Sequence, residues 1–531
     1  MALDYKKKVP IPPHTVKVPN GEKIYIQYVV RAYRDEKGKP NNQRVSIGKL
    51  DPESGLMIPN NRYYELFEGE MSHPMPSIVR SSGSYSVFHG LAKEMGMERI
   101  VKKVFPDRWE SIMSVAQYML CEGNVMYYLD DWLEEHITYS HGALSSVKMG
   151  KLFSSITETD RICFFHEWMK NKPAKEYLAY DVTSISSYGH GIENLEWGYN
   201  RDKEKLPQIN FGMYYGEESG LPMYYRIYPG SIPDKAHLKY MVEDNDVISC
   251  KKAYFVMDRG FYSQENLTYL VQKGCRFVMA LPDHIKYCQT LIDKHREELI
   301  NRSECYLGAN KPYGKGYIEE INGIRMKIHI YYDPYKAAKE SSNLYEELDK
   351  LEQELRGMET PPDRKLHYDK YFYINRGKDG RLGFRRNTEA INKALSRCGF
   401  FLIGETDFKK TTAQILEIYR RRDVIEKSFD NLKNDLDMRR LHVHSDEAAE
   451  GKAFIAFLAL IVHSRMQSKL QEYMDTNKYT FRKILLELDK VKMICAADRP
   501  GGCRLLNPPT KVQREILVCL GLPVNSFDVI H

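Results

Sequence analysis

Residues Thr411–Leu436 read TTAQILEIYRRRDVIEKSFDNLKNDL, and the rest of the chain is best understood outward from them. Tyr419, Arg422, Glu426 and Lys433 are separated by three, four and seven residues. At about 100° per helical residue all four fall within a sector of about 60°, so they share one helix face. Ile415 lies on that stripe one turn earlier, while Ile418, Ile425, Phe429, Leu432 and Leu436 form an apolar band along its edge. The polar stripe therefore borders a core. A carboxylate and two cations in that position are costly unless they pair with one another, a metal or phosphates. The competing reading is a solvated helix whose Arg422 and Glu426 pair at four-residue spacing.

Two aspartates upstream stand in settings that could bring them to the same place. KEYLAYDVTSISSY, residues 175–188, is an apolar strand with Asp181 near its middle. PQINFGMYYGEE and LPMYYRIYPG follow as aromatic-rich strands joined by a Gly-containing turn, and AHLKYMVEDN reads as a helix. KKAYFVMDRGFYS, residues 251–263, is a strand that should end at Asp258, with Gly260 letting the chain turn. The helix SQENLTYLVQKG and the strand CRFVMALP complete the series. Three strands, helix, strand, helix, strand is the order of a ribonuclease H-like α/β core with a mixed sheet, which sets the two aspartates on neighbouring central strands. Asp181, Asp258 and Glu426 are 77 and 168 residues apart, so only the fold can gather them. Oxygen-only ligands suit Mg²⁺, with Mn²⁺ able to substitute.

The first 83 residues read as a small β unit and residues 84–172 as short helices. The last two helices of that region have helix-turn-helix-like spacing, so it reads either as a DNA-binding module or as a bundle packed on the core. The core occupies 173–284 and resumes at 399–470 with the strand GFFLIGETD and the signature helix. Residues 285–398 read as an insertion with its own strands and a helix in which Leu344, Leu348, Leu351 and Leu355 recur. Residues 471–531 form a C-terminal region.

Net charge is +6, but Lys and Arg cluster locally. The ten cysteines lack zinc-like spacing, and most of them read as buried small hydrophobes. No signal peptide is recognisable, and the longest apolar run, Ala453–Val462, is about half of a membrane span, so a cytoplasmic setting is expected.

AYDVTSISSY, FVMDRGFYS and YRRRDVIEKSFDNLK together resemble the three catalytic motifs of DDE transposases of the insertion-sequence-four superfamily, with its Tyr-Arg-Glu-Lys signature. The β-containing opening and the helices before Asp181 look most like the sixteen-thirty-four branch. The resemblance implies that Asp181, Asp258 and Glu426 hold two Mg²⁺ ions and that Tyr419, Arg422 and Lys433 contact transposon-end phosphates. It also implies a bacterial, nucleoid-associated enzyme that acts as a homodimer on the terminal inverted repeats and on target DNA, cutting and rejoining strands. Many relatives carry Trp after the signature Arg, where this chain has Asp423, and all four tryptophans precede the insertion. A catalytically silent DNA-binding descendant and a nuclease without strand transfer are the alternatives.

Within the insertion, YDKYFYINRGKDGRLGFRR (368–386) alternates aromatics with cations about a Gly-rich turn. One reading has Arg376, Arg381, Arg385 and Arg386 following a DNA backbone while Tyr371 and Tyr373 stack on exposed bases. The other is a hairpin whose charges keep a sheet edge soluble.

Overall fold

The computed structural model describes residues 8–21, 23–34, 39–67, 77–140, 144–170, 173, 176–248, 253–309, 311–358, 368–376, 382–496 and 503–527. The chain forms two compact bodies, Met1–Val79 with Met493–Arg504, and Arg80–Lys492 with Leu505–Ile530. In the first, Thr15–Asn20 (β1), Lys23–Arg34 (β2), Pro40–Leu50 (β3) and Met57–Pro59 (β4) make an antiparallel sheet in that order. Ile26, Ile47 and Met57 form its buried centre.

After Ser77–Ser81 (β5), six α-helices span Gly83–Glu94, Met97–Val104, Trp109–Glu122, Leu129–Glu135, Ser146–Ser154 and Glu158–Met169. The last begins at a capping box in which Thr157 and Asp160 satisfy each other's backbone N–H groups.

The central sheet contains Tyr177–Ser186 (β6), Gln208–Gly216 (β7), Leu221–Pro229 (β8), Tyr254–Met257 (β9), Arg276–Leu281 (β10), Tyr313–Ile321 (β11) and Ile324–Tyr332 (β12). Phe372–Arg376 (β13) and Leu382–Arg386 (β14) pair separately as a hairpin, and Phe400–Glu405 (β15) completes the central sheet. Its order is β11-β12-β15-β10-β9-β6-β7-β8. β9 runs parallel to both β6 and β10, and every other neighbouring pair is antiparallel. The series β8-β7-β6-β9-β10 is thus a meander of three strands followed by two parallel ones, the ribonuclease H-like arrangement. Almost every residue of β6 and β7 is buried, as expected of strands covered on both faces.

The segment 285–398 does not keep all its strands to itself. β12 pairs with β15 along Lys327–Tyr332, so the β11–β12 hairpin extends the central sheet. The physical reason is an edge: β15 would otherwise present a row of unpaired backbone groups. The rest of the segment has its own core. Asp333 caps the helix Pro334–Arg356, whose Leu344, Leu348, Leu351 and Leu355 pack with Tyr368, Tyr371, Phe372 and Ile391.

One helix, Asp446–Asn477, runs through the division at residue 470 and is buried nearly all round from Ala448 to Ser464. Gly451 is needed there, because a Cβ would stand 2.0 Å from the Phe153 carbonyl oxygen of the helix Ser146–Ser154. Among the described residues no helix is long and apolar enough to cross a membrane. The cysteine reading needs one correction. Cys495 on Lys492–Ala496 (β16) and Cys503 on Cys503–Leu505 (β17) form a disulfide, because these adjacent strands bring together two residues eight apart in sequence.

Candidate active site

Asp181 and Asp258 reach one place through strand register. Tyr180 of β6 is aligned with Met257 of β9, so the next residue on each parallel strand is an aspartate. Asp181 is 7% exposed. Asp258 falls just past the end of β9, not within it, and its Oδ1 accepts the Arg259 N–H at 2.6 Å. The carboxylate therefore terminates the strand and opens the 3₁₀ turn Arg259–Phe261.

The signature stretch is interrupted at one residue, where the periodicity predicts one continuous helix: the bonds Arg422 N–H to Tyr419 O and Ile425 N–H to Arg422 O have three-residue spacing. Thr411 caps Thr412–Arg421 in a capping box with Gln414, Arg422 joins the segments, and Asp423–Asn434 follows. Ile415, Ile418, Ile425, Phe429, Leu432 and Leu436 are all buried, as their band requires. The four polar residues lie in different environments. Arg422 is buried, Tyr419 half-buried and Glu426 exposed, whereas Lys433 is 6% exposed and bonds Asp202 at 2.6 Å.

Arg422 is the centre of the site. Its guanidinium lies 2.7 Å from Glu426 Oε1 and 3.8 Å from Asp181 Oδ2, with its carbon 5.7 Å from the centre of the Tyr419 ring. Burial opposes its charge, but Tyr419, Glu426, Asp258 and Asp181 outweigh that and raise its proton affinity. Burial also raises the Asp181 pKa, against the pull of Arg201, the Val182 N–H and Arg422 and with a further push from Asp258. Tyr419 is pushed up to about 12 by burial and by Asp258. Asp181 is thus a buried carboxylate whose neighbouring cations, Arg201 at 3.5 Å and Arg422 at 3.8 Å, stand beyond ideal hydrogen-bond distance.

Among the described residues no three His, Cys, Asp or Glu side chains stand together closely enough to hold a metal ion. In this arrangement the Arg422 guanidinium links Asp181 to Glu426. The donor chemistry nevertheless suits a hard divalent ion: the groups around Arg422 supply oxygen, and the most buried of them has raised proton affinity that a closer cation would relieve.

The insertion hairpin divides the residues assigned to it. Tyr371 is 5% exposed and packs in the insertion core, so it does not offer a face to a base. Arg386 is not free to follow a backbone, because it bonds Asp349 at 2.5 Å and Glu352 at 2.7 Å on the neighbouring helix. Strand alternation turns its neighbour the other way. Tyr373 is 49% exposed and pairs in register with Arg385, whose guanidinium lies 4.8 Å from the ring centre. Arg381 and the Arg376 side chain lie outside the described residues. Arg385→Ala should flatten the log–log salt dependence of DNA binding by about 0.9, the value of one phosphate contact. Arg386→Ala should leave that slope unchanged and instead lower the melting temperature.

Arg201, Asp234, Asp202, Glu204 and Arg440 also surround the site and its flank without a periodic signal in the sequence. Arg201 bonds Asp234 at 2.8 Å while reaching toward Asp181, Asp202 holds Lys433, and Glu204 takes Arg440 through two bonds of 2.6 and 2.8 Å. The loop between β6 and β7 has no periodicity that could announce these pairs. Its alternating charges, NRDKEK, are the only local signal.

A ribonuclease H-like core with Asp181 and Asp258 at adjacent positions of two neighbouring strands, linked through Arg422 to Glu426 on a later helix, defines the general class. The family model described as Transposase DDE domain matches residues 172–462, more than half of the chain, and the chain belongs to that family. No curated protein matches it in sequence. Among solved structures it is similar to a piggyBac transposase synaptic complex with hairpin DNA, at 11% identity over 77% of this chain and 70% of that one, with a TM-score of 0.33. It is also similar to the Drosophila P element transposase strand transfer complex, at 9% identity over 78% of this chain and 97% of that one, with a TM-score of 0.15.

Proposed function

We propose that this DDE transposase binds the terminal inverted repeats of a bacterial insertion sequence and carries out metal-dependent strand cleavage and strand transfer by cut-and-paste. The observation that supports this most is the meeting of Asp181, Asp258 and Glu426 around Arg422, since the three come from elements far apart in the chain. Asp181, Asp258 and Glu426 would hold two Mg²⁺ ions, with Mn²⁺ able to substitute. When bound, such a pair activates a water or 3′-hydroxyl and stabilises the departing oxygen of an in-line phosphoryl transfer.

In this reading Arg422 exchanges partners. It would turn its planar donors from Asp181 and Glu426, the residues that would hold the ions, to a DNA phosphate, which guanidinium binds in the same forked way as a carboxylate. Tyr419, held beside Arg422, supplies a neutral hydroxyl to the same backbone, and Lys433 supplies a second cation. Arg385 and Tyr373 form the outward face of the insertion hairpin. The organisation into regions 1–83, 84–172, 173–284, 285–398, 399–470 and 471–531, with DNA binding in 84–172 and the helix Asp446–Asn477 joining the last two, belongs to this proposal. So do a homodimer on paired ends, the insertion-sequence-four relationship and its sixteen-thirty-four branch, and a nucleoid-associated cytoplasmic setting.

The test uses duplexes taken from the DNA flanking the gene, incubated with the protein in Mg²⁺ or in chelator and resolved on denaturing gels. Metal-dependent cleavage followed by joining to a second duplex is expected. Cleavage without joining would instead make the protein a nuclease, and binding without cleavage a silent descendant.

A further inference from the structure

The loop between β6 and β7 presents its acids and bases to opposite sides. Asp202 and Glu204 are partly buried, whereas Lys203 and Lys205 are exposed. Asp202 reaches Lys433 at 2.6 Å, and Glu204 engages Arg440 in a forked pair. Lys433 keeps 7% of its side chain exposed and Arg440 21%. Backbone pairing of Ser186 with the Arg439–Arg440 segment places Arg440 at the end of β6, five residues beyond Asp181. The two cations therefore lie further along the strand that carries Asp181 and the helix that carries Glu426, and each already holds an anion.

The loop has the makings of a removable occupant. One side chain holds its turn: Asn200 Oδ1 accepts the N–H groups of Asp202 and Glu204 at 2.9 and 3.3 Å, and Asn200 Nδ2 donates to Ser186 Oγ at 3.0 Å. Lys203, between the two acids, has φ +58°, a left-handed conformation that a lysine adopts at a cost. A carboxylate on a guanidinium also has the forked geometry of a phosphate.

We infer that Lys433 and Arg440 form a binding surface for the phosphodiester backbone, and that Asp202 and Glu204 occupy its phosphate positions until DNA displaces the loop. This rests on the DNA-binding function proposed above and adds Arg440, and the loop as its competitor, to that function. Free protein then keeps these cations neutralised, and bound DNA must open the Asn200–Glu204 loop.

The experiment uses the full chain and a random-sequence duplex in chelator, so that cleavage plays no part. For the double variant Asp202→Asn, Glu204→Gln, the Kd is expected to fall about tenfold, because apparent affinity scales with the fraction of molecules whose surface is open. Arg440→Gln should weaken binding and reduce the salt slope by about 0.9. Hydrogen exchange on the unaltered chain provides a measurement that needs no variant: the amides of Asp202 and Glu204 should lose protection when DNA binds. DNA binding with both amides still protected would overturn the inference, as would a folded double variant with unchanged or weaker affinity. Failure of the unaltered chain to bind any duplex would overturn the functional reading as well.

Discussion

Asp181→Asn is expected to reduce metal-dependent strand cleavage by well over about 100-fold, the upper end of what substitutions one shell outside a metal centre produce. DNA binding in chelator should change little. Asparagine keeps the size of the side chain and the carbonyl that accepts the Val182 N–H at 2.8 Å. It loses the charge, at the most buried of the three carboxylates. Without a metal, that charge is costly where it stands, since burial raises the Asp181 pKa and neither nearby arginine approaches within 3.4 Å. The variant should therefore fold at least as well as the parent while losing the reaction. Glu426→Gln should give the same separation of binding from cleavage. If Glu426→Gln still cleaves in Mg²⁺, Glu426 is an ion-pair partner of Arg422 only, and an equally active Asp181→Asn would remove the proposed site altogether.

The parts of this site visible in the sequence were those carried by periodicity. Apolar runs announced β6, β7 and β9, and because β6 and β9 pair in parallel, Asp181 and Asp258 follow each other into register without any further signal. The apolar edge of the signature stretch, from Ile415 to Leu436, likewise predicted its buried face. What periodicity could not reveal was the interruption at Arg422, where the backbone hydrogen bonds tighten to three-residue spacing, or the burial of Lys433, whose partner Asp202 lies 231 residues away. The hairpin shows the same limit. Alternation sets Arg385 and Arg386 on opposite faces, which the assignment of both to a DNA backbone overlooked, and only the packed helix Pro334–Arg356, with Asp349 and Glu352, decides which of them is already paired. The docking of β12 on β15 was hidden for a related reason, since an edge declares that it needs a partner and not which strand will supply it.

Phe454→Ala should cost about 3–5 kcal/mol of stability, the range for emptying a fully buried aromatic site. Phe454 is 0% exposed and stands where three rings of the helical region converge: Phe105, Phe164 and Phe165, at centroid distances of 5.5, 5.1 and 6.3 Å. Phe165 carries the contact onward to Tyr224 and Tyr225 of β8, at 4.8 and 5.5 Å, and to Phe457 at 5.5 Å. One aromatic cluster thus joins the helices before β6, the central sheet and the helix Asp446–Asn477. Close backbone approach at Gly451 leaves little freedom for that helix to shift and fill the void, which places the cost toward the upper part of the range. Because the lost contacts belong to both regions, the helical region and the sheet should melt together in one transition displaced to lower temperature. Calorimetry of the variant decides between this coupling and a separable module at residues 84–172. Two resolved transitions, or a loss below about 1 kcal/mol, would show that the helices hold together without the core, since a shared cluster of fully buried rings has no cheaper way to lose one of them.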